Sequence, residues 1–130
     1  MKDNKLTIQI NKPVAEVFAF TLDPKNTPRW IDDSSREETN EWPPKIDTIY
    51  KNTGKNGVVL TFIMTEIVPN DHFALVGDDK NYHCKYTFRD LGNNNTELEY
   101  HEWMETGELE VPFTQDILEK LKTVMENPQP

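Results

Sequence analysis

The stretch Val111-Pro-Phe-Thr-Gln-Asp-Ile-Leu-Glu-Lys-Leu-Lys-Thr-Val-Met-Glu126 sets Phe113, Ile117, Leu118, Leu121, Val124 and Met125 at successive spacings of four, one, three, three and one. That is the period of an amphipathic helix with one buried stripe. Pro112 falls where a first turn tolerates a missing N–H, Asp116 stands near the positive end of the dipole, and Asn127-Pro128 supplies a stop. A helix of about four turns over residues 111–126 is expected. Upstream of it, nearly all of residues 45–105 reads as strand, so this helix should lie across a sheet and close its core.

The rest of the chain fills in that picture. Residues 5–11 alternate Leu6, Ile8 and Ile10 against Thr7, Gln9 and Asn11, the period of a half-buried strand. Pro13 then turns the chain, and Val14, Val17, Phe18 and Leu22 recur at helical spacing until Asp23-Pro24. Pro28 allows residues 25–31 one more helical turn at most, whose role is to place Trp30. The acidic, polar segment 32–44 reads as a weak edge strand at 34–39 within a solvated loop that overhangs the interior. From residue 46 onward a meander is expected, with strands at 46–52, 58–68, 73–76, 82–89 and 96–106. Its turns are built from Gly, Asn, Asp and Pro, as tight hairpins require.

Alternation assigns faces. Tyr82, Cys84, Tyr86 and Phe88 share one side of their strand, and Leu98, Tyr100, Glu102 and Met104 share one side of the next; both sets should point inward. Residues 58–68 are apolar on both sides, with Leu60, Phe62 and Met64 opposite Val59, Ile63 and Ile67. A sheet solvated on one side should alternate. The second side therefore needs a cover, either a second copy in a homodimer or a long neighbouring side chain such as Trp103.

Composition narrows the partners. A chain of 130 residues fits one domain, residues 1–130, and its formal charge of −9 argues against nucleic acid or an anionic membrane surface. No 18-residue apolar run occurs, so membrane insertion is not expected, and the N-terminus enters a strand pattern directly, which points to the cytoplasm. One cysteine, Cys84, excludes an internal disulfide. His72, His83 and His101 stand in no metal-ligand frame, and no Gly-rich phosphate loop or nucleophile elbow is present, so neither a metal nor another cofactor is expected. Asn94-Asn95-Thr96 matches a glycosylation acceptor but reads as a turn.

Several motifs, in this order, resemble the START-like, helix-grip proteins of the SRPBCC superfamily, in particular the polyketide cyclase/dehydrase-like branch. They are Asn11-Lys-Pro-Val-Ala-Glu-Val-Phe18, Asp23-Pro-Lys-Asn-Thr-Pro-Arg-Trp30, Thr65-Glu-Ile-Val-Pro69, Asn95-Thr-Glu-Leu98 and Leu118-Glu-Lys-Leu-Lys-Thr-Val-Met-Glu126. Asp47 stands where the family usually carries glycine, and the closing helix is shorter than in many members. The resemblance implies an α+β helix-grip fold: a curved antiparallel sheet of six to seven strands wrapped around the C-terminal helix, with one or two short helices after the first strand. It also implies an internal cavity between sheet and helix that holds a small hydrophobic or aromatic molecule.

Such a cavity should be lined by Trp30, Phe62, Met64, Tyr82, Cys84, Tyr86, Tyr100, Glu102, Phe113 and Ile117. Tyr86 and Tyr100 are the better polar contacts, because buried hydroxyls need partners. Cys84, among aromatics and away from any cation, reads as a small buried hydrophobe. Glu102 is the candidate catalytic group. Its strand carries it onto the apolar face, where a carboxylate without a cation would be raised in pKa and able to move protons. Three functions remain open at this point. They are passive hydrophobic binding, a cyclase/dehydrase-type reaction using Glu102 with Tyr86 or Tyr100, and an acidic protein-interaction module, which a filled core would favour.

Overall fold

A computed structural model describes residues 1–127, so the expected stop at Pro128 lies outside the described residues. The elements follow in the order β1 (Asp3–Ile10), α1 (Val14–Leu22), a 3-10 turn (Pro24–Asn26), α2 (Thr27–Trp30), β2 (Ser34–Thr39), β3 (Ile49–Gly54), β4 (Val59–Val68), β5 (His72–Gly77), β6 (Tyr82–Gly92), β7 (Asn95–Met104) and α3 (Gln115–Glu126). The seven strands form one curved antiparallel sheet in the order β1-β7-β6-β5-β4-β3-β2, with β1 and β2 as its edges. The α+β helix-grip architecture is thereby the one expected. No helix among the described residues is long and apolar enough to cross a membrane.

The core lies between the inner face of the sheet and the helices. α3 buries Leu118, Leu121 and Met125 and packs against β1 and α2, while α1 contributes Val17, Phe18 and Leu22. Phe18 meets Phe73 and Phe88 edge-on, with centroids 5.8 and 5.3 Å away. Each such aromatic pair contributes about 0.5–1.5 kcal/mol beyond the area it buries.

Three sequence expectations change in the structure. First, α3 begins at Gln115, not at residue 111. The reason is a competing partner: the Phe113 N–H donates to the Glu102 side chain at 2.7 Å, and the Phe113 carbonyl accepts from Asn4 Nδ2 at 2.9 Å, so residues 111–114 run extended across the sheet edge. Second, β3 begins at Ile49 rather than at residue 46, because Asp47 adopts φ +77°, a left-handed conformation that costs a side chain about 1–2 kcal/mol. The Asp47 N–H donates to the Met64 carbonyl at 2.8 Å, tying the turn to β4.

Third, the two-sided apolar pattern of β4 arises in part from a bulge, which accounts for Ile67 but not for Val59 and Ile63. The pairing with β5 shifts between Met64 and Glu66, so Met64 and Ile67 both turn inward although their spacing is odd. On the outer face Ile63, Val76, His83 and Trp103 then form one cross-strand row. The Trp103 indole lies flat against His83, with centroids 5.0 Å apart, and beside His101 at 4.6 Å. This long side chain covers the His83 end of the row; Val76 is buried, while Val59, on the same side of β4 as Ile63, is 52 % exposed.

Candidate functional site

Glu102 is 1 % exposed and stands on the inner face of β7, as its alternation requires. It does not face an open chamber. Its Oε2 accepts from the Phe113 N–H at 2.7 Å and from Asn4 Nδ2 at 2.9 Å. Its Oε1 accepts from the Tyr82 hydroxyl at 2.7 Å and lies 3.3 Å from that of Tyr100; the two hydroxyls are 2.9 Å apart. A carboxylate has about four acceptor positions. All four are engaged here, and none by a cation. The geometry makes Glu102 a clamp joining β1, β6 and β7 to the segment that leads into α3.

Beside the clamp, the aromatic side chains expected to line a cavity pack on one another. The Tyr100 and Phe113 rings are stacked at 4.1 Å, Tyr86 meets Tyr100 edge-on at 5.1 Å, and Phe73 stacks on Tyr86 at 4.5 Å. Trp30 presents its edge to Tyr86 and Phe113 at 6.5 and 6.3 Å. A chamber bounded by Tyr86, Tyr100 and Phe113 was the expectation; those rings instead fill the space between them. Met64 and Cys84 are buried beneath them. Burial pushes the Cys84 thiol up to about 12 and holds the Tyr82, Tyr86 and Tyr100 hydroxyls far above the usual phenol range, so all four remain protonated at neutral pH.

The inner face opens further along the sheet, toward β2. Glu37, Asn52 and Leu60 are cross-strand partners, and Leu60 shares its side of β4 with Phe62 and Met64, so the row belongs to the concave face. Leu60 nevertheless remains 55 % exposed. Ile31, Phe62, Leu75, Tyr82, Phe113 and Ile117 pack on the core while leaving part of their surface uncovered. They leave an apolar surface only partly covered on the concave side of the sheet, the cleft of the inner face.

Two polar groups are buried or half-buried on this side of the core. Trp30, 2 % exposed, has an indole Nε1 without a hydrogen-bond partner among the described residues. Such an orphaned buried donor costs about 1–3 kcal/mol. Glu37, half-buried, accepts from the Thr27 hydroxyl at 2.7 Å through Oε1 and from Asn52 Nδ2 at 3.2 Å through Oε2. Asn52 in turn donates to Ser34 Oγ at 3.0 Å. Burial raises the Glu37 carboxyl above the ordinary carboxylate range, and the hydrogen bonds from Thr27 and Asn52 only partly offset it. Its charge is also felt at Tyr50, Cys84 and Tyr86, which places it on the same interior.

Sequence reasoning missed Glu37 and Asn52. In a polar edge strand the neighbours Glu37 and Glu38 are indistinguishable, and a bulge after Ser34 decides which of them turns inward. The histidines stand on the outer face with separate carboxylates: His72 with Glu66 and Asp71, His83 near Glu105, His101 with Asp3. No group of three potential metal ligands occurs among the described residues. Two surface concavities lie elsewhere. One of about 450 Å³ runs between α1 and the end of α3 by Phe20, Arg29 and Met125; one of about 280 Å³ lies beside Glu38, Ile49 and Lys51.

The same architecture occurs in solved structures of low sequence identity. A conserved protein of unknown function from Enterococcus faecalis superposes with a TM-score of 0.76 at 13 % identity, covering 98 % of this chain and 73 % of that one. The Aha1 dimer from Colwellia psychrerythraea gives 0.73 at 12 % identity with 100 % of both chains covered. A protein from Nitrosospira multiformis gives 0.74 at 10 % identity with 94 % of both covered. No functionally curated protein matches the sequence. The family model described as polyketide cyclase / dehydrase and lipid transport matches residues 1–126, and the chain belongs to that family.

Proposed function

We propose that the protein binds a small, mainly apolar molecule in the partly covered cleft on the inner face of the sheet. The observation that carries this reading is the inner-face row Glu37, Asn52 and Leu60, in which Leu60 stays 55 % exposed beside a half-buried carboxylate; the buried Trp30 Nε1, a donor with no partner among the described residues, adds to it. Ligand sites combine an apolar lining with a few convergent polar groups, and this cleft has that composition. Membership of a family described by polyketide cyclisation and lipid transport supports it. The expected central chamber is filled by the rings of Tyr86, Tyr100 and Phe113, which on that point favours the interaction-module reading, so binding is proposed only at the uncovered part of the inner face around Leu60 and Glu37.

A cyclase/dehydrase-type reaction through Glu102 draws no support from this geometry, since every acceptor position of that carboxylate is used inside the fold. The test of the binding reading has two parts. Native mass spectrometry of freshly purified protein should reveal a co-purified small molecule that leaves on denaturation. Titration with 2-naphthalenemethanol, followed by amide NMR, should shift Asn52, Leu60, Phe62 and the Trp30 indole. Shifts confined to the outer face, at His83 and Trp103, would refute it.

A further inference from the structure

The polar groups of the inner face have an uneven distribution of charge. Register places Asn4, Leu6, Ile8 and Ile10 of β1 inward, facing Glu102, Tyr100, Leu98 and Thr96 of β7. On β6 the residues of inward parity are Tyr82, Cys84, Tyr86, Phe88 and Asp90; on β5, Phe73, Leu75 and Gly77; on β4, Leu60, Phe62, Met64 and Ile67; on β3, Tyr50 and Asn52; on β2, Ser34, Glu37 and Thr39. Three carboxylates and no lysine or arginine stand among them; Asp90, at the far end of β6, is exposed, which leaves Glu37 and Glu102 as the two that are covered. Outside the sheet's inner face, Lys120 of α3 is exposed and engaged with Asp32, and Lys55, after β3, acts on the same carboxylate.

The two carboxylates differ in what they have left to offer. Glu102 has its four acceptor positions taken. Glu37 receives two donors, from Thr27 and Asn52, which leaves about two acceptor positions open on a half-buried group at the uncovered end of the cleft. We propose that Glu37 determines the polarity of the ligand: the cleft accepts an apolar molecule whose polar end is an ammonium or a hydroxyl donor, and rejects one ending in a carboxylate. An ammonium would complete the open positions of Glu37 and supply the counter-charge the interior lacks, whereas a carboxylate would meet a like charge with no cation to relieve it. This assignment rests on the binding reading above and deepens it, since it converts an apolar cleft into one with a preferred headgroup. It also excludes free fatty acids in their ionised form as occupants.

The experiment uses three probes with one apolar body: 2-naphthylmethylamine, 2-naphthalenemethanol and 2-naphthoate, titrated at pH 7 with amide NMR as the readout. Wild type should bind the amine at least about tenfold more tightly than the naphthoate, the size expected of a hydrogen bond to a charged group, with the alcohol between them. Glu37→Gln should abolish the preference for the amine over the naphthoate, bringing the two within about threefold of each other. Because the chain carries a formal charge of −9, any cation gains some general attraction, and Glu38→Gln controls for it. Glu38 is the outward, exposed neighbour on the same strand, so that variant should keep the wild-type order. The same spectra report whether each variant is folded. Naphthoate bound as tightly as the amine, or an order unchanged in Glu37→Gln, would overturn the role of Glu37 while leaving hydrophobic binding standing. Absence of inner-face shifts with all three probes would remove both.

Discussion

Replacing Glu102 separates a structural clamp from a proton-transfer group. In Glu102→Leu the Phe113 N–H loses its acceptor, and Asn4 Nδ2 keeps only the Phe113 carbonyl of its two partners. The Tyr82 and Tyr100 hydroxyls, 2.9 Å apart, can bond each other, which satisfies one of their two protons and leaves the other unmatched. Three unmatched donors at about 1–3 kcal/mol each set a loss of roughly 3–9 kcal/mol, reduced because a buried carboxylate is removed with them and because Asn4 and Phe113 are only part-buried. A net destabilisation of about 2–4 kcal/mol is expected. Glu102→Gln is milder: its amide oxygen can keep the Phe113 and Asn4 donors, and its amide group can donate to the tyrosine hydroxyls, so only the charge assistance is lost, about 1 kcal/mol. Urea unfolding at pH 7 measures both, and amide exchange at Phe113 should accelerate in Glu102→Leu before the rest of the sheet responds. A Glu102→Gln protein more stable than wild type, with Glu102→Leu within about 0.5 kcal/mol of it, would refute the clamp and restore the acid/base proposal.

Four further outcomes follow from the same geometry. Leu121 is fully buried in the middle of the α3 stripe, so Leu121→Ala should cost about 2–5 kcal/mol in urea melts, while exposed Glu119→Ala should cost little; Lys122 is no neutral control, because its ammonium holds Gln9 and Glu126 at 2.7 Å each. Asp47→Gly should match or exceed wild-type stability and should exceed Asp47→Ala by about 1–2 kcal/mol, since φ +77° favours glycine over a side chain; equal melts for the two would contradict this. Burial raises the Glu37 carboxyl in the folded state, so its contribution to stability grows as pH falls through the folded value; Glu37→Gln should stabilise at pH 7, with the gain fading below the ordinary Glu range near ~4.3, and parallel midpoint curves from pH 4 to 8 would show that Glu37 is solvated. With Trp103 covering the His83 end of the outer row, light scattering should find a 15.2 kDa species, and a homodimer of wild type would mean that the row is covered by a second copy instead.

Much of the fold was legible in one dimension because it depends on local period. The alternation of Leu6, Ile8 and Ile10, the Gly- and Asn-rich turns and the stripe Leu118, Leu121 and Met125 each report which side of an element is apolar, and a sheet with one closing helix is what those sides can jointly bury. The identity of the inward set on β6 and β7, Glu102 included, followed from the same alternation. Tertiary structure decided the rest, and it did so through two kinds of long-range fact. One is the bulge, which shifts parity by a residue: after Ser34 it turns Glu37 rather than Glu38 toward the cleft, and after Met64 it turns Ile67 inward. The other is competition for hydrogen bonds across the sheet. Phe113 leaves the expected helix because a carboxylate eleven residues away takes its N–H, and that carboxylate becomes a clamp only because β1 brings Asn4 alongside it. Neither partner carries a mark in the sequence, because which donors reach a buried acceptor is set by strand pairing and not by spacing along the chain.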